Sequence, residues 1–242
     1  MSPSVPERQA IAGFELSAYA YVRGEIAWIG ENPCVEHPRN AARPWQPTPF
    51  RGDAKRLVAG ARTCLGLIDT AAPKGLLLWL IGQPLPMPFH HAQARFDAIR
   101  AALADNDMDA FETAALRVLG LGQGLTPSGD DFVGAILFAL AHAPRTDWQQ
   151  HMPALQTRIR AAARTRTNAI SAALLDDLMQ GASYGALHEM LAALQSGSMS
   201  RIAQAVQGLM DLGACSGADM LAGLLLALTT RPAEEMKSRR PS

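Results

Sequence analysis

The stretch "GLLLWLI", residues 75–81, decides how the first third of the chain is read. It is a short unbroken apolar run, opened by a glycine and closed by "GQPLPMPF" at 82–89, whose prolines neither continue a strand nor start a long helix early. Period-two alternation precedes it at Phe14, Leu16, Ala18, Ala20 and Val22, and again at Ile26 and Trp28. Together these predict strands. Gly24, Pro33, Pro38, Pro44, Pro47, Pro49, Gly52 and Pro73 punctuate them. The expectation is a β-rich N-terminal domain over 1–89, with 82–89 as the linker.

Beyond residue 90 the texture changes. Phe96, Ile99 and Leu103 recur at helical spacing, and Phe111, Ala115 and Val118 do so after the candidate caps Asp107 and Asp109. Further helices are predicted over 127–142, 148–164, 169–180, 184–195, 199–211 and 216–229. The predicted fold class is therefore α+β, with strands segregated N-terminally and a helical domain over 90–242. The outermost residues, including "EEMKSRRPS", read as solvated tails.

A chain of 242 residues, 48% apolar, buries a substantial core as one large domain or two small ones. Its net charge is zero, which points away from nucleic acid and membrane surfaces and toward a small molecule or another protein as partner. Cys34, Cys64 and Cys215 are odd in number and lack a C-x-x-C spacing, so they indicate neither a disulfide frame nor a zinc site. That favours the cytoplasm. The longest apolar runs, such as Phe132 to Ala141, fall short of the roughly 20 residues that span a bilayer. "MSPSVPERQ" lacks a basic-then-apolar signal pattern.

The helical part contains an internal repeat. "SGDDFVGAILFAL" from Ser128 aligns without a gap on "SGADMLAGLLLAL" from Ser216. Small residues, Gly134 and Ala135 or Ala222 and Gly223, permit close helix contact in each copy. A packing role alone predicts two similar helices, antiparallel in the core, with Asp131 and Asp219 answering the helix dipoles. A pseudo-twofold relation predicts instead that the two helices are equivalent and start near each other. The first copy carries more than packing requires, because Asp130 has only Ala218 as its counterpart.

The loop before that copy, "GLGQGLTPSGDD" at 120–131, alternates glycines that let backbone approach a ligand. Thr126 is a good N-cap and Pro127 fits a first helical position, which predicts a helix starting there with its free N–H groups turned to the loop. Such groups bind anions, with the Thr126 and Ser128 hydroxyls as added donors. Asp130 and Asp131 are negative, so a phosphate there calls for an intervening cation or for aspartates pointing elsewhere. A magnesium ion held by Asp130 reconciles the charges; a hydrogen bond from an aspartate to a substrate amide is the other solution. The loop matches neither G-x-x-x-x-G-K-[ST] nor G-x-G-x-x-G. None of Lys55, Lys74 and Lys237 is near it in sequence, which leaves arginine, metal or backbone to balance a phosphate. "RIRAAARTRTNAIS" offers Arg160 and Arg164 one turn apart, close to Thr167, Asn168 and Ser171; a solvated basic face is the commoner fate of such a run. "HEMLA" at 188 lacks the second histidine of a zinc protease, and G-x-S-x-G is missing. His90 and His91 fit a helix start, His142 a helix C-terminus, and Cys215 either a small buried residue or an activated thiol.

"GLGQGLTPSGDD", then "TNAISAALL", then "GACSGADMLAGLLLAL" resemble the bacterial family that includes the small subunit of oxamate carbamoyltransferase, over about residues 110–230. The resemblance implies a multisubunit enzyme of anaerobic allantoin degradation, with larger protein subunits as partners, that interconverts oxalurate plus phosphate with oxamate plus carbamoyl phosphate. It also implies that Gly122, Gly124, Thr126, Ser128, Asp130 and Asp131 form the signature, with Thr167, Ser171, Ser216, Gly217 and Asp219 in weaker motifs. The family's second motif often has histidine where Ala214 stands and serine where Cys215 stands. With the residue reading, this gives Asp130 and Asp131 as candidate catalytic groups. Gly122, Gly124, Thr126, Ser128, Gly129, Arg164, Thr167, Asn168, Ser171, Ser216 and Asp219 become candidate substrate contacts, with the phosphate on the loop and a carboxylate on Arg164. Two alternatives stand beside this: a non-catalytic binding or assembly subunit, and a stand-alone acyl or phosphoryl transferase.

Overall fold

The structure is a computed structural model that describes the backbone of 20–23, 26–29 and 32–36, and residues 52–230 apart from 69–71, 86 and 88. The chain forms two compact units, 1–48 and 49–242. In the first, strands β1 (Ala20–Arg23), β2 (Ile26–Ile29) and β3 (Asn32–Glu36) pair antiparallel in that order, with a register shift between Ala27 and Trp28. The alternation at Phe14, Leu16 and Ala18 lies outside the described residues.

The second unit overturns the expected α+β fold with a β-rich part reaching residue 89. From residue 52 to 230 the described chain is helical: α1 (Ala54–Leu65), α2 (Leu76–Leu80), α3 (Gln93–Ala104), α4 (Met108–Leu116), α5 (Ser128–His142), α6 (Met152–Arg166), α7 (Ala169–Met179), α8 (Gly185–Ser196), α9 (Met199–Met210) and α10 (Ser216–Thr229). "GLLLWLI" is thus a short helix, not a strand. An apolar run this short carries no periodicity of its own, so its tertiary partner decides. Here Leu76, Leu77 and Trp79 are buried, α2 packs on α10, and the first N–H of the helix, from Leu76, donates to Asp219 Oδ1 at 2.7 Å. The helices expected after residue 127 lie within a few residues of where periodicity places them. Asp107 caps α4 by accepting the Ala110 N–H, and Asn168 caps α7 by accepting from Ile170 and Ser171.

The two repeat helices form the centre of this unit. Apart from Ser216, every residue of α5 from Ser128 to Leu140 and of α10 up to Leu228 is buried. Their close approach depends on Gly223, where a Cβ would lie 2.2 Å from the Phe132 carbonyl oxygen and 3.2 Å from the Ala135 Cβ. Ala135 and Gly223 occupy the same place in the two copies, so this contact falls where a twofold relation requires. Around them α5 packs on α7, and α10 packs on α1, α2 and α9. Among the described residues no helix is long and apolar enough to cross a membrane.

Candidate functional site

The site grows from the starts of α5 and α10, which meet. Thr126 Oγ1, on the loop before α5, lies 2.8 Å from Ser216 Oγ, the first residue of α10. Further in, the contact is reciprocal. The Ser216 hydroxyl acts on Asp131 of the first copy, and the Ser128 hydroxyl acts on Asp219 of the second. The antiparallel arrangement of the packing reading therefore does not occur; the two starts share one end. The approach to each helix repeats as well. Gly129 N–H donates to the Leu121 carbonyl at 2.9 Å, and Gly217 N–H to the Leu212 carbonyl at 3.1 Å. A Cβ on Gly129 would lie 1.9 Å from the Val118 oxygen, and one on Gly217 1.7 Å from the Leu209 oxygen.

Between these shared anchors the copies differ. The first runs from Leu121 to Ser128 and the second from Leu212 to Ser216, so the first loop is three residues longer. Gly120, Gly122 and Gly124 adopt φ of +75°, +130° and +90°, conformations that L side chains rarely take, which accounts for glycine at alternate positions. At Gly122 a Cβ would also come 2.6 Å from the Ser128 nitrogen, so the loop folds back over the start of α5. Among the described residues no protein acceptor takes the N–H of Gly122, Gly124, Thr126 or Ser128. The helix itself begins at Ser128 with Pro127 as N-cap, one residue later than Thr126 as cap predicts, because the Thr126 hydroxyl is engaged with Ser216 rather than with the helix.

Asp130 proves to be an architectural clamp. Its Oδ1 accepts the Gly120 N–H at 2.7 Å, and its Oδ2 accepts the Ser171 hydroxyl at 2.7 Å and the Thr167 hydroxyl. One carboxylate thus ties the glycine loop to the start of α7, an architectural need that the alanine at the matching position 218 does not reveal. A magnesium ion on Asp130, as the sequence suggests, would share an oxygen that already accepts from the protein. Among the described residues no three His, Cys, Asp or Glu side chains converge as a metal site. Asn168 extends the clamp by donating from Nδ2 to the Leu125 carbonyl at 2.9 Å.

Asp131 and Asp219 are different. They are 3% and 0% exposed, and Oδ2 of each is buried without a hydrogen-bond partner. Burial pushes the Asp131 carboxyl up to about 8; the Ser216 and Thr126 hydroxyls pull it down, and Asp219 and Asp130 push it further up. Burial also raises Asp219, to about 6, against the Leu76 N–H, the Ser128 hydroxyl and Lys74, all of which favour its charged form. Both carboxyls are thus held above the usual range, Asp131 the more strongly, because Asp219 and Asp130 act against its charge while the Leu76 N–H and Lys74 favour that of Asp219.

Several residues fall elsewhere. Arg160 pairs with Asp176 at 2.5 Å, and Arg164 is exposed on α6 with no contact among the described residues that joins it to the loop. The Cys215 thiol is raised, chiefly by burial, which is the reverse of activation. Sequence reasoning missed Lys74, which donates to the Met210 carbonyl at 2.8 Å and acts on Asp219, and Tyr184, whose phenol is raised by burial and by Asp131. Only the second copy of the repeat, far from Lys74 in sequence, brings that lysine to the site. Two surface depressions, one against Asn106, Asp107, His151 and Arg158 and one against Trp79, Gln83, Asp97 and Arg100, touch no motif residue.

Residues 118–228 match the family model described as oxamate carbamoyltransferase subunit AllH, in agreement with the resemblance carried by the motifs. The match spans the glycine loop and both repeat helices and leaves α1 to α4, with Lys74, outside it. No solved structure matches the chain.

Proposed function

We propose that this chain is a subunit of an oxamate carbamoyltransferase-type enzyme that interconverts oxalurate plus phosphate with oxamate plus carbamoyl phosphate, working in the cytoplasm with larger partner subunits. The observation that carries this reading is the family match, which covers the loop and both helix starts. In the forward direction a phosphate oxygen attacks the carbamoyl carbon of oxalurate. The bond from that carbon to the oxamate nitrogen breaks, and the nitrogen takes a proton.

The chain's own groups suit these demands. The N–H groups of Gly122, Gly124, Thr126 and Ser128, which no protein acceptor takes, supply oriented dipoles for a phosphate, in the manner of helix-start anion sites. Asp131, whose carboxyl burial pushes up to about 8, is the group best suited to give a proton or hydrogen bond to the substrate amide. Asp130 together with Thr167, Asn168 and Ser171 holds the loop in place. No step is assigned to a metal.

A non-catalytic assembly role is the second reading. It is favoured by the burial of both motif aspartates and by the absence of motif residues from the two depressions named above. Co-purification from the native host followed by a carbamoyl phosphate assay separates the readings. The expected result is elution with larger partners, phosphate-dependent formation of carbamoyl phosphate from oxalurate, and loss of that activity in Asp131→Asn with assembly intact. An assembly whose activity ignores Asp131→Asn favours the assembly role, and a chain that elutes alone contradicts both.

A further inference from the structure

We infer that Asp131 and Asp219 together form the subsite for a primary amide, an amino group on a carbonyl carbon, with Asp219 accepting from the nitrogen and Asp131 donating to the carbonyl oxygen. This rests on the carbamoyltransferase reading and names the part of the substrate that the paired helix starts recognise. The two unpartnered Oδ2 atoms are the first support. The Ser216, Thr126 and Ser128 hydroxyls and the Leu76 N–H serve these carboxyls in part, but a buried Oδ2 left without a partner still carries a desolvation penalty, and two such atoms in equivalent places mark room for a further donor or acceptor.

The second support is the unequal setting of two otherwise equivalent carboxyls. Asp219 has the Leu76 N–H at 2.7 Å on Oδ1 and Lys74 nearby, and it faces no second acid on its own helix because Ala218 stands where the first copy has Asp130. Asp131 has Asp130 beside it and Asp219 across from it, with hydroxyls as its nearest polar company. The first setting favours the charged, accepting form and the second the protonated, donating form. A primary amide presents the complement of each on adjacent groups.

The same surroundings argue against other ligands. A bare anion meets two carboxyl groups. A cation meets the positive dipole ends of α5 and α10, with no third His, Cys, Asp or Glu to complete a shell among the described residues. A neutral amide carries neither penalty. Thr126 reaches this pair from the glycine loop through its bond to Ser216, so phosphate on the loop and amide on the aspartates lie on adjoining groups, as they do in carbamoyl phosphate.

The test compares carbamoyl phosphate with acetyl phosphate, in which a methyl group replaces the amine, by calorimetric titration of the full chain in the assembly with which it purifies. A site built around the amine should prefer carbamoyl phosphate by about tenfold or more. Asp219→Asn should abolish that preference while inorganic phosphate binds as before. Equal affinity for the two phosphates in the wild type, or an unchanged preference in Asp219→Asn, overturns the inference. If the variant fails to fold, the wild-type comparison decides alone. Equal binding of the two leaves the phosphate reading of the loop standing, whereas binding of neither removes both.

Discussion

The two helix starts share a plan and differ in what they add to it. Each has a glycine jammed against the carbonyl of an earlier residue, Gly129 on Val118 and Gly217 on Leu209, and each contributes a serine to the other's aspartate. What both copies keep is the architecture of the pair. What only the first has is a longer loop, with three positive-φ glycines where the second has Gly213 alone, and Asp130 with its three donors from Gly120, Thr167 and Ser171. The difference teaches that a residue present in one copy alone can be as structural as one present in both. Asp130 holds the loop that only the first copy carries, and the shared Asp131 and Asp219 are the ones left with unpartnered oxygens.

The largest expected effect breaks the shared plan. Gly217→Ala places a Cβ 1.7 Å from the Leu209 oxygen and Gly129→Ala places one 1.9 Å from the Val118 oxygen, and neither backbone atom can swing aside as a side chain does. Each substitution should cost at least about 3 kcal/mol, at or beyond the upper end of ordinary overpacking. Chemical denaturation measures this, and normal stability in both variants would break the comparison. A smaller effect sharpens it. Asp130→Asn weakens charge-assisted bonds from a backbone N–H and two hydroxyls, and a loss of about 1.5 to 3 kcal/mol follows. The reciprocal change, Ala218→Asp in the second copy, buries a carboxyl without a matching clamp and should destabilise as well; equilibrium unfolding of the two variants reads both.

The repeat and the helices after residue 127 are legible in the sequence because long amphipathic segments leave a periodic record, uniformly apolar ones are too long for strands, and caps such as Asn168 mark their starts. The stretch 75–81 is not, because five helical residues are too few to show a period, and the residue that accepts their first N–H is Asp219, far along the chain. The glycine loop announces an unusual backbone, and its positive φ values at 120, 122 and 124 give the reason. The division of labour among the acids is illegible for the same cause as α2. Whether an aspartate is clamped or spare depends on Thr167, Ser171, Leu76 and Lys74, which only folding brings to it. Arg164 illustrates the converse, since proximity in sequence to Thr167 gives it no contact with the loop among the described residues.

The central claim is that the two starts bury Asp131 beside Asp219 in a setting that favours its acid form, and thermal denaturation of wild type and Asp131→Asn from pH 5 to 9 tests it most directly. In the unfolded chain this carboxyl ionises near about pH 4, whereas in the folded chain it does so at about 8. A folded value raised above the unfolded one means that its contribution to stability is full below about pH 4, is lost progressively as pH rises toward 8, and is constant above. Asparagine does not titrate. The melting temperature of Asp131→Asn relative to wild type should therefore climb from pH 5 to about 8 and then level off. A difference that stays the same across that range would contradict the account.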